Sequence, residues 1–151
     1  MNGKIAAVCL SPAKGTAKTS VTKGRLIVNH GLENDAHAGP WHRQVSLLSV
    51  QKVAEFEARG AKVEDGAFGE NILVDGLDLR TLPVGTRLTV GEALLEVTQI
   101  GKECHSRCQI FHQVGDCIMP REGIFARVLA GGEIQCGDRI MAELQTAAEL
   151  R

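Results

Sequence analysis

A mainly β domain, closed or half-closed as a barrel, is the fold that this sequence predicts. Three observations carry the prediction. Short β-rich runs recur along the chain, 17 glycines are spread between them as punctuation, and no alternating βαβ pattern appears. With 151 residues, 44% of them apolar and 23% charged, the chain is long enough for one domain with its own core.

The elements follow in order. Residues 4–10, with an apolar run from Ile5 to Leu10, read as a first strand. The stretch "SPAKGTAKTSVTKG" is small, polar and basic, with lysines and no acid, and reads as an exposed loop or a bent hairpin. "RLIVN", 25–29, is a second strand, and "HGLENDAHAGPWHR" is a long loop with three histidines. "QVSLLS" reads as a buried strand. Ser49 is placed to cap a helix through "VQKVAEFEARG", with Val50, Val53 and Ala54 on one face and Gly60 as its stop. "AFGENILVDGL" is a loop entering a short strand that ends in an Asp-Gly turn. "TRLTVGEALLEVTQI" is a hairpin around Gly91-Glu92. A second short helix is expected over "REGIFARVLAGG", stopped by its two glycines, and "GDRIMAEL" closes the fold as a strand. Residues 1–144 are expected to form the single domain, and 145–151 a fraying tail.

Charge and composition exclude several function classes. A formal net charge of −1 leaves no basic surplus for nucleic acid or a membrane surface. No apolar run is long enough for a transmembrane helix. No phosphate-binding glycine motif, nucleotide fingerprint or internal repeat appears. The first fifteen residues do not read as a signal peptide. Five cysteines, an odd number, argue against a complete disulfide framework, so a reducing cytoplasmic setting with free thiols is the expectation.

Three stretches carry candidate chemistry. "GKECHSRCQIF", 101–111, holds Cys104, His105 and Cys108, with His112 and Cys117 close behind. All are zinc-ligand types, but no second tight ligand pair accompanies Cys104 and Cys108, so a structural zinc site is a poor match. A reactive thiol is the alternative, because cations such as Lys102 and Arg107 lower a neighbouring thiol's pKa. Plain core cysteine is the third reading, and it is the one expected for Cys9 and Cys136. "GLENDAHAGPWHRQVSL" offers Asp35, His37, His42 and Arg43. Asp35 and His37 share a face if the backbone is extended, an Asp can fix a histidine tautomer, and Arg43 can hold an anion in a fork. Ordinary turn formation by Asn34-Asp35 and Gly39-Pro40 explains the same residues. In "GAFGENILV", Glu70 and Asn71 enter a strand, where hydrogen bonding to a loop is the structural reading.

Taken together and in order, "GLENDAHAG", "HRQVSLLS", "GAFGENILVDGLDL", "LPVGTRLTVGEALLEVTQIGKEC", "SRCQIF" and "GIFARVLAGGEIQCGD" resemble the MOSC domains, named for the C-terminal part of molybdenum cofactor sulfurase. The resemblance spans residues 4–143 and points to a small standalone bacterial member. It implies a β-barrel-like fold with a few short helices and a role around the molybdenum cofactor. The segment after the hairpin carries the family's key cysteine, matched here by Cys108, which would hold sulfur as a persulfide or ligate molybdenum; Cys104 is a neighbouring candidate ligand. Asp35, His37, His42, Arg43, Glu70, Asn71, Lys102 and Arg107 are the implied cofactor-binding residues. Molybdoenzymes or cofactor-biosynthesis proteins are the implied partners. The chain has no room for a pyridoxal-phosphate domain, so it is not a complete sulfurase. Arg107 stands where many small homologues place proline.

Three functions follow from these readings. The first is a cofactor-binding or sulfur-carrier protein acting in cofactor maturation or delivery. The second is a small molybdenum-dependent reductase of N-hydroxylated compounds. The third is a non-catalytic docking module, for which zinc is a candidate staple. Fold alone does not separate them.

Overall fold

The computed structural model describes residues 2–12, 18–58, 60, 64–66, 68–101 and 123–143. Its strands are β1 (Asn2–Leu10), β2 (Thr19–Val21), β3 (Lys23–Ile27), β4 (Gly31–Leu32), β5 (Val45–Ser49), β6 (Ile72–Asp75), β7 (Arg87–Val90), β8 (Ala93–Ile100), β9 (Ile124–Ala130), β10 (Gly132–Gln135) and β11 (Arg139–Glu143). One α-helix, α1 (Val50–Glu57), and a 3-10 turn at Leu79–Thr81 are the helical elements described.

Seven strands close a barrel in the order β11-β7-β8-β9-β5-β6-β1, and β1 pairs back onto β11. The closing contact is antiparallel, with Gly3 opposite Ile140 and Lys4 opposite Arg139. A second, three-stranded sheet runs β10-β3-β4. Closure removes the exposed edges that an open sheet would leave. The expected mainly β, barrel-type fold is therefore what the chain adopts.

Alternation along the strands builds the core. Val45 and Leu47 of β5, Ile72 and Val74 of β6, Leu95 and Val97 of β8, and Ile124, Ala126 and Val128 of β9 all point inward to one buried cluster. The β1–β6 ladder shifts register between Ile5 and Ala7. Ile5 and Val8 therefore face the barrel interior, while Ala7 and Cys9 face outward. Further shifts in the β8–β9 ladder fall between Leu94 and Leu95 and between Val97 and Gln99. Bulges of this kind bend a sheet enough to close it.

The outer wall of β1, β5 and β6 is covered by α1, which connects β5 to its parallel neighbour β6. Ser49 occupies the cap position with an extended backbone, but its hydroxyl bonds Gln51 Oε1 at 3.1 Å rather than a free amide. The buried face of α1 is Val53 and Phe56, whereas Ala54 is exposed. Phe56 meets Phe68 edge to face, with ring centroids 5.0 Å apart. Gly60, at φ 107°, follows the helix, and its N–H reaches Glu57 O.

Three expectations need correction. Residues 124–130 are a strand, not a helix. Alanine, leucine and arginine are good helix formers, but propensity is worth little per residue, and pairing with both β5 and β8 overrides it. Arg127 lies opposite Glu96 on β8 and bonds it at 2.8 Å. Gly131 and Gly132 turn tightly into β10; a Cβ on Gly131 would lie 2.6 Å from Leu26 O. In the basic stretch after β1 the hairpin reading holds, Thr19–Val21 pairing back onto β1 with Val8 opposite Val21 and Leu10 opposite Thr19, but exposure does not hold throughout, because Lys18 is only 2% exposed. Cys136 is exposed rather than core.

Candidate functional site

The site lies on the outer barrel wall, where β5, β6 and β9 meet the loop between β4 and β5. Ser46 stands opposite Phe125, and their neighbours Leu47 and Ile124 point into the barrel, so both Ser46 and Phe125 face outward. The loop makes two tight turns. Asn34 adopts a left-handed φ of 70°, and the amides of Asp35 and Ala38 close onto Leu32 O and Asp35 O. Ala36 N–H bonds Ser11 O at 2.8 Å, which pins the loop to the end of β1. Gly31 permits the entry: a Cβ there would sit 2.4 Å from Gln44 O.

These turns bring together residues far apart in sequence. Asp35 Oδ1 accepts the Ser11 amide at 3.1 Å and the Lys18 ammonium at 2.7 Å. The same ammonium lies 2.9 Å from His37 Nδ1. Asp35 and His37 are thus linked through Lys18, not through a shared strand face. Burial alone would raise the Asp35 carboxyl, but the hydrogen bonds from Lys18 and Ser11, with the Lys18 charge, hold it below the ordinary carboxylate range. Asp35 Oδ2 is buried and makes no hydrogen bond within ordinary distance among the described residues.

Beside this trio is a cavity of about 210 Å³, lined by His37, Trp41, Arg43, Ser46, Gly69, Asn71 and Phe125. The Arg43 guanidinium lies 4.6 Å from the Trp41 ring centre and 5.7 Å from that of Phe125. Such contacts orient a guanidinium without neutralising it. Arg43 Nε is buried and, among the described residues, has no hydrogen-bond partner. Among the described residues no carboxylate pairs with Arg43. Lys18 and Asp35 offset each other, so among the described residues the guanidinium leaves the pocket positive. Trp41 is 39% exposed at the pocket wall, and its indole N–H is tied to His37 O at 2.9 Å.

Asn71 lines the pocket, and Glu70 braces the loop behind it. Asn71 Oδ1 accepts the Ser46 amide at 2.9 Å, its side-chain amide donates to Cys9 O, and its own N–H reaches Ser46 Oγ. Glu70 accepts the amides of Gly66 at 2.8 Å and Phe68 at 3.1 Å. Gly66 O in turn accepts the Lys18 amide. Both side chains are committed to backbone, in line with the structural reading of that turn. Burial lifts the Glu70 carboxyl to about 7, against the opposing pull of the amides it accepts, with Asp65 adding to the rise.

His42 points elsewhere. Its Nε2 lies 2.8 Å from Gln99 Oε1, and Gln99 donates on to Gly101 O. Gly101 N–H bonds Gly123 O, so both roots of segment 102–122 meet at this end of β8 and β9. Lys102, Cys104, Arg107 and Cys108 lie outside the described residues, as do Cys117 and Arg121. Of the other cysteines, Cys9 is fully buried and its thiol is pushed up to about 12, chiefly by burial, so it stays protonated. Among the described residues no cluster of three metal-ligand side chains occurs, and no helix is long and apolar enough to cross a membrane.

Lys18, Ser46, Trp41 and Phe125 are site residues that motif reading does not single out. Lys18 carries one faint signal. Its own segment contains no acid, so the counter-charge of a buried lysine there must come from elsewhere in the chain.

The comparisons with known proteins agree with this fold. The YuaD protein from Bacillus subtilis is 20% identical with a TM-score of 0.80, over 96% of this chain and 98% of that one. YiiM from Geobacillus stearothermophilus is 23% identical with a TM-score of 0.74, over 97% and 78%. YiiM from Escherichia coli is 21% identical with a TM-score of 0.64, over 97% and 71%. No curated protein sequence matches the chain. The MOSC domain profile matches residues 34–141, a span that runs from the polar loop into β11. The chain belongs to the MOSC domain family, which is associated with molybdenum-cofactor-related proteins.

Proposed function

We propose that this protein binds the molybdenum cofactor by its anionic end in the Arg43 pocket, and that Cys108 is its working thiol. It would act in cofactor maturation or delivery, handing cofactor or sulfur to molybdoenzymes or cofactor-biosynthesis proteins. The observation that carries this reading is Arg43 Nε, a buried donor that has neither a hydrogen-bond partner nor a carboxylate beside it among the described residues, on an arginine that lines the pocket. Buried donors in native proteins are nearly always satisfied, so a ligand acceptor is the natural complement.

Pockets that enclose a whole ligand usually measure about 300–1,000 Å³. A cavity of about 210 Å³ fits one end of a cofactor of this size, its phosphate, with the remainder across the opening. Arg43 and His37 would hold that end. Asn71 and Ser46, each fixed by backbone bonds, keep the floor in place. Lys102 and Arg107 would add positive charge near Cys108 and favour its thiolate. When bound, the cofactor supplies a redox-active metal centre that a soft thiolate suits as a ligand. As a sulfur carrier, the Cys108 thiolate would take one sulfane sulfur to form a persulfide and return to thiolate when an acceptor removes it.

The chain contains one Trp and no Tyr, so its intrinsic emission reports Trp41 at the pocket. Titration with inorganic phosphate should change that emission. Arg43→Ala should weaken phosphate binding about 10- to 100-fold, the loss expected for charge-assisted hydrogen bonds of about 1.5–3 kcal/mol. Equal affinity in wild type and Arg43→Ala would remove the pocket from the proposal. For the thiol, intact mass after treatment with a sulfane-sulfur donor should show one added sulfur that maps to Cys108. The gain should vanish in Cys108→Ala; uptake that persists in the variant assigns the wrong cysteine.

A further inference from the structure

Arg43 stands between two residues whose side chains are both tied to the barrel. On one side Gln44, 1% exposed, accepts the Val128 amide at 2.9 Å and donates to Asn29 Oδ1 at 3.1 Å. On the other side His42 is exposed, yet β8 holds it twice. Thr98 Oγ1 donates to His42 O, and Gln99 Oε1 lies 2.8 Å from His42 Nε2. The roles in the second contact are forced. The Gln99 side-chain nitrogen meets Gly101 O at 2.7 Å, and a carbonyl oxygen only accepts, so the amide cannot be turned the other way. Oε1 is therefore the end that faces His42, and His42 Nε2 is the donor.

A bulge makes this double hold possible. In the β8–β9 ladder Val97 lies opposite Ala126 and Gln99 opposite Phe125, so Thr98 is the extra residue. Regular alternation would turn Thr98 and Gln99 to opposite faces. Here both reach the same histidine. Gln99 is also the cross-strand partner of Phe125, one of the two rings beside the Arg43 guanidinium. Bulges that re-aim side chains are found next to functional sites.

We infer that His42 is a positioning residue for Arg43: clamped by Thr98 and Gln99 at the β8 bulge, it sets where the guanidinium stands between Trp41 and Phe125. His42 does not itself line the cavity, whereas its two chain neighbours Trp41 and Arg43 do. The Arg43 contacts with those rings are face contacts, which orient a guanidinium less sharply than hydrogen bonds do. The backbone on either side therefore decides its place. Gln44 secures one side from within the core, and His42 secures the other from the surface. Because the His42 bond is exposed, losing it should leave the urea unfolding midpoint nearly unchanged.

This inference matters to function through the proposed pocket, but its test needs no ligand, so the two can fail separately. The measurement is a proton–nitrogen correlation spectrum of ¹⁵N-arginine-labelled protein in mildly acidic buffer, read at the Nε–H signal of Arg43. That signal is assigned by its loss in Arg43→Lys. Wild type should show it protected from solvent exchange, as the burial of Nε requires. His42→Ala and Gln99→Leu should each move it by more than a linewidth and speed its exchange. His42→Gln, whose amide can donate from the place of Nε2, should keep the wild-type signal; a ring-current effect would be lost in this variant too, so retention isolates the bond. A signal unmoved in His42→Ala or in Gln99→Leu overturns the inference. So does a shift in His42→Gln as large as in His42→Ala, or a wild-type signal that exchanges freely. In the phosphate titration followed by Trp41 emission, His42→Ala should bind about 3- to 10-fold more weakly than wild type, and His42→Gln should match wild type.

Discussion

Asp35→Asn is expected to destabilise the protein by about 3 kcal/mol or more, the lower range for stranding one member of a buried ion pair. Asparagine keeps the shape of the side chain and an oxygen that can accept the Ser11 amide, so the change isolates the charge. Lys18 would then be an ammonium at 2% exposure without a counter-ion. It must lose its proton or drag its strand outward to water, and either outcome costs stability. The double variant Lys18→Met/Asp35→Asn removes the stranded charge and should recover more than half of the loss. Urea unfolding of the four proteins gives the coupling directly. Additive losses, or a single Asp35→Asn cost under about 1 kcal/mol, would show that the pair does not hold the site together. The carboxyl of Asp35 is held below 3.8, so the stability it contributes is present above that pH and lost as pH falls below it.

How much of this was legible in the sequence depends on where the determining contacts lie. Strands β5 to β8 are readable because each buries every second residue in one cluster, and that period is written locally. β9 is not readable in the same way. Its composition tolerates a helix, and its partners Val45–Leu47 and Leu94–Ile100 lie far away in the chain. Of the site, Asp35, His37 and Arg43 are visible as polar residues crowded into a turn-rich loop. Their grouping is not, because the bridge between the first two is Lys18, a lysine among other lysines in a hairpin. Nor does spacing show that Glu70 and Asn71 turn to backbone amides while His42 turns to Gln99. Those choices are made by the bulged barrel wall, which decides what each loop can reach. The cysteine segment is conspicuous by composition, and the barrel shows only that its two roots, Gly101 and Gly123, are bonded to each other at the Phe125 end of the pocket.

Stability should fall as pH rises from about 4.5 to about 7, because of Glu70. An unfolded glutamate loses its proton near 4.5, whereas the buried carboxyl keeps it to about 7. Between those values the folded state binds the extra proton, so the stabilisation is complete below 4.5 and lost above about 7. The total is roughly 3 kcal/mol, at about 1.4 kcal/mol for each tenfold change in proton binding. Asp35 acts below 3.8 and so leaves this window clear. Unfolding midpoints in urea at about pH 5 and about pH 8 should therefore differ in wild type, and Glu70→Gln should flatten the difference. A flat wild-type profile, or an equal slope in Glu70→Gln, would sink the assignment. The expected slope also bears on the pocket. Protonated Glu70 has one hydroxyl and one carbonyl where the carboxylate offers two strong acceptors, so one of the Gly66 and Phe68 amides loses its better partner. That loop carries the oxygen that holds the Lys18 backbone, and it ends in Gly69 at the pocket wall. The ionised form, although globally less stable, is thus the one that braces the pocket most firmly.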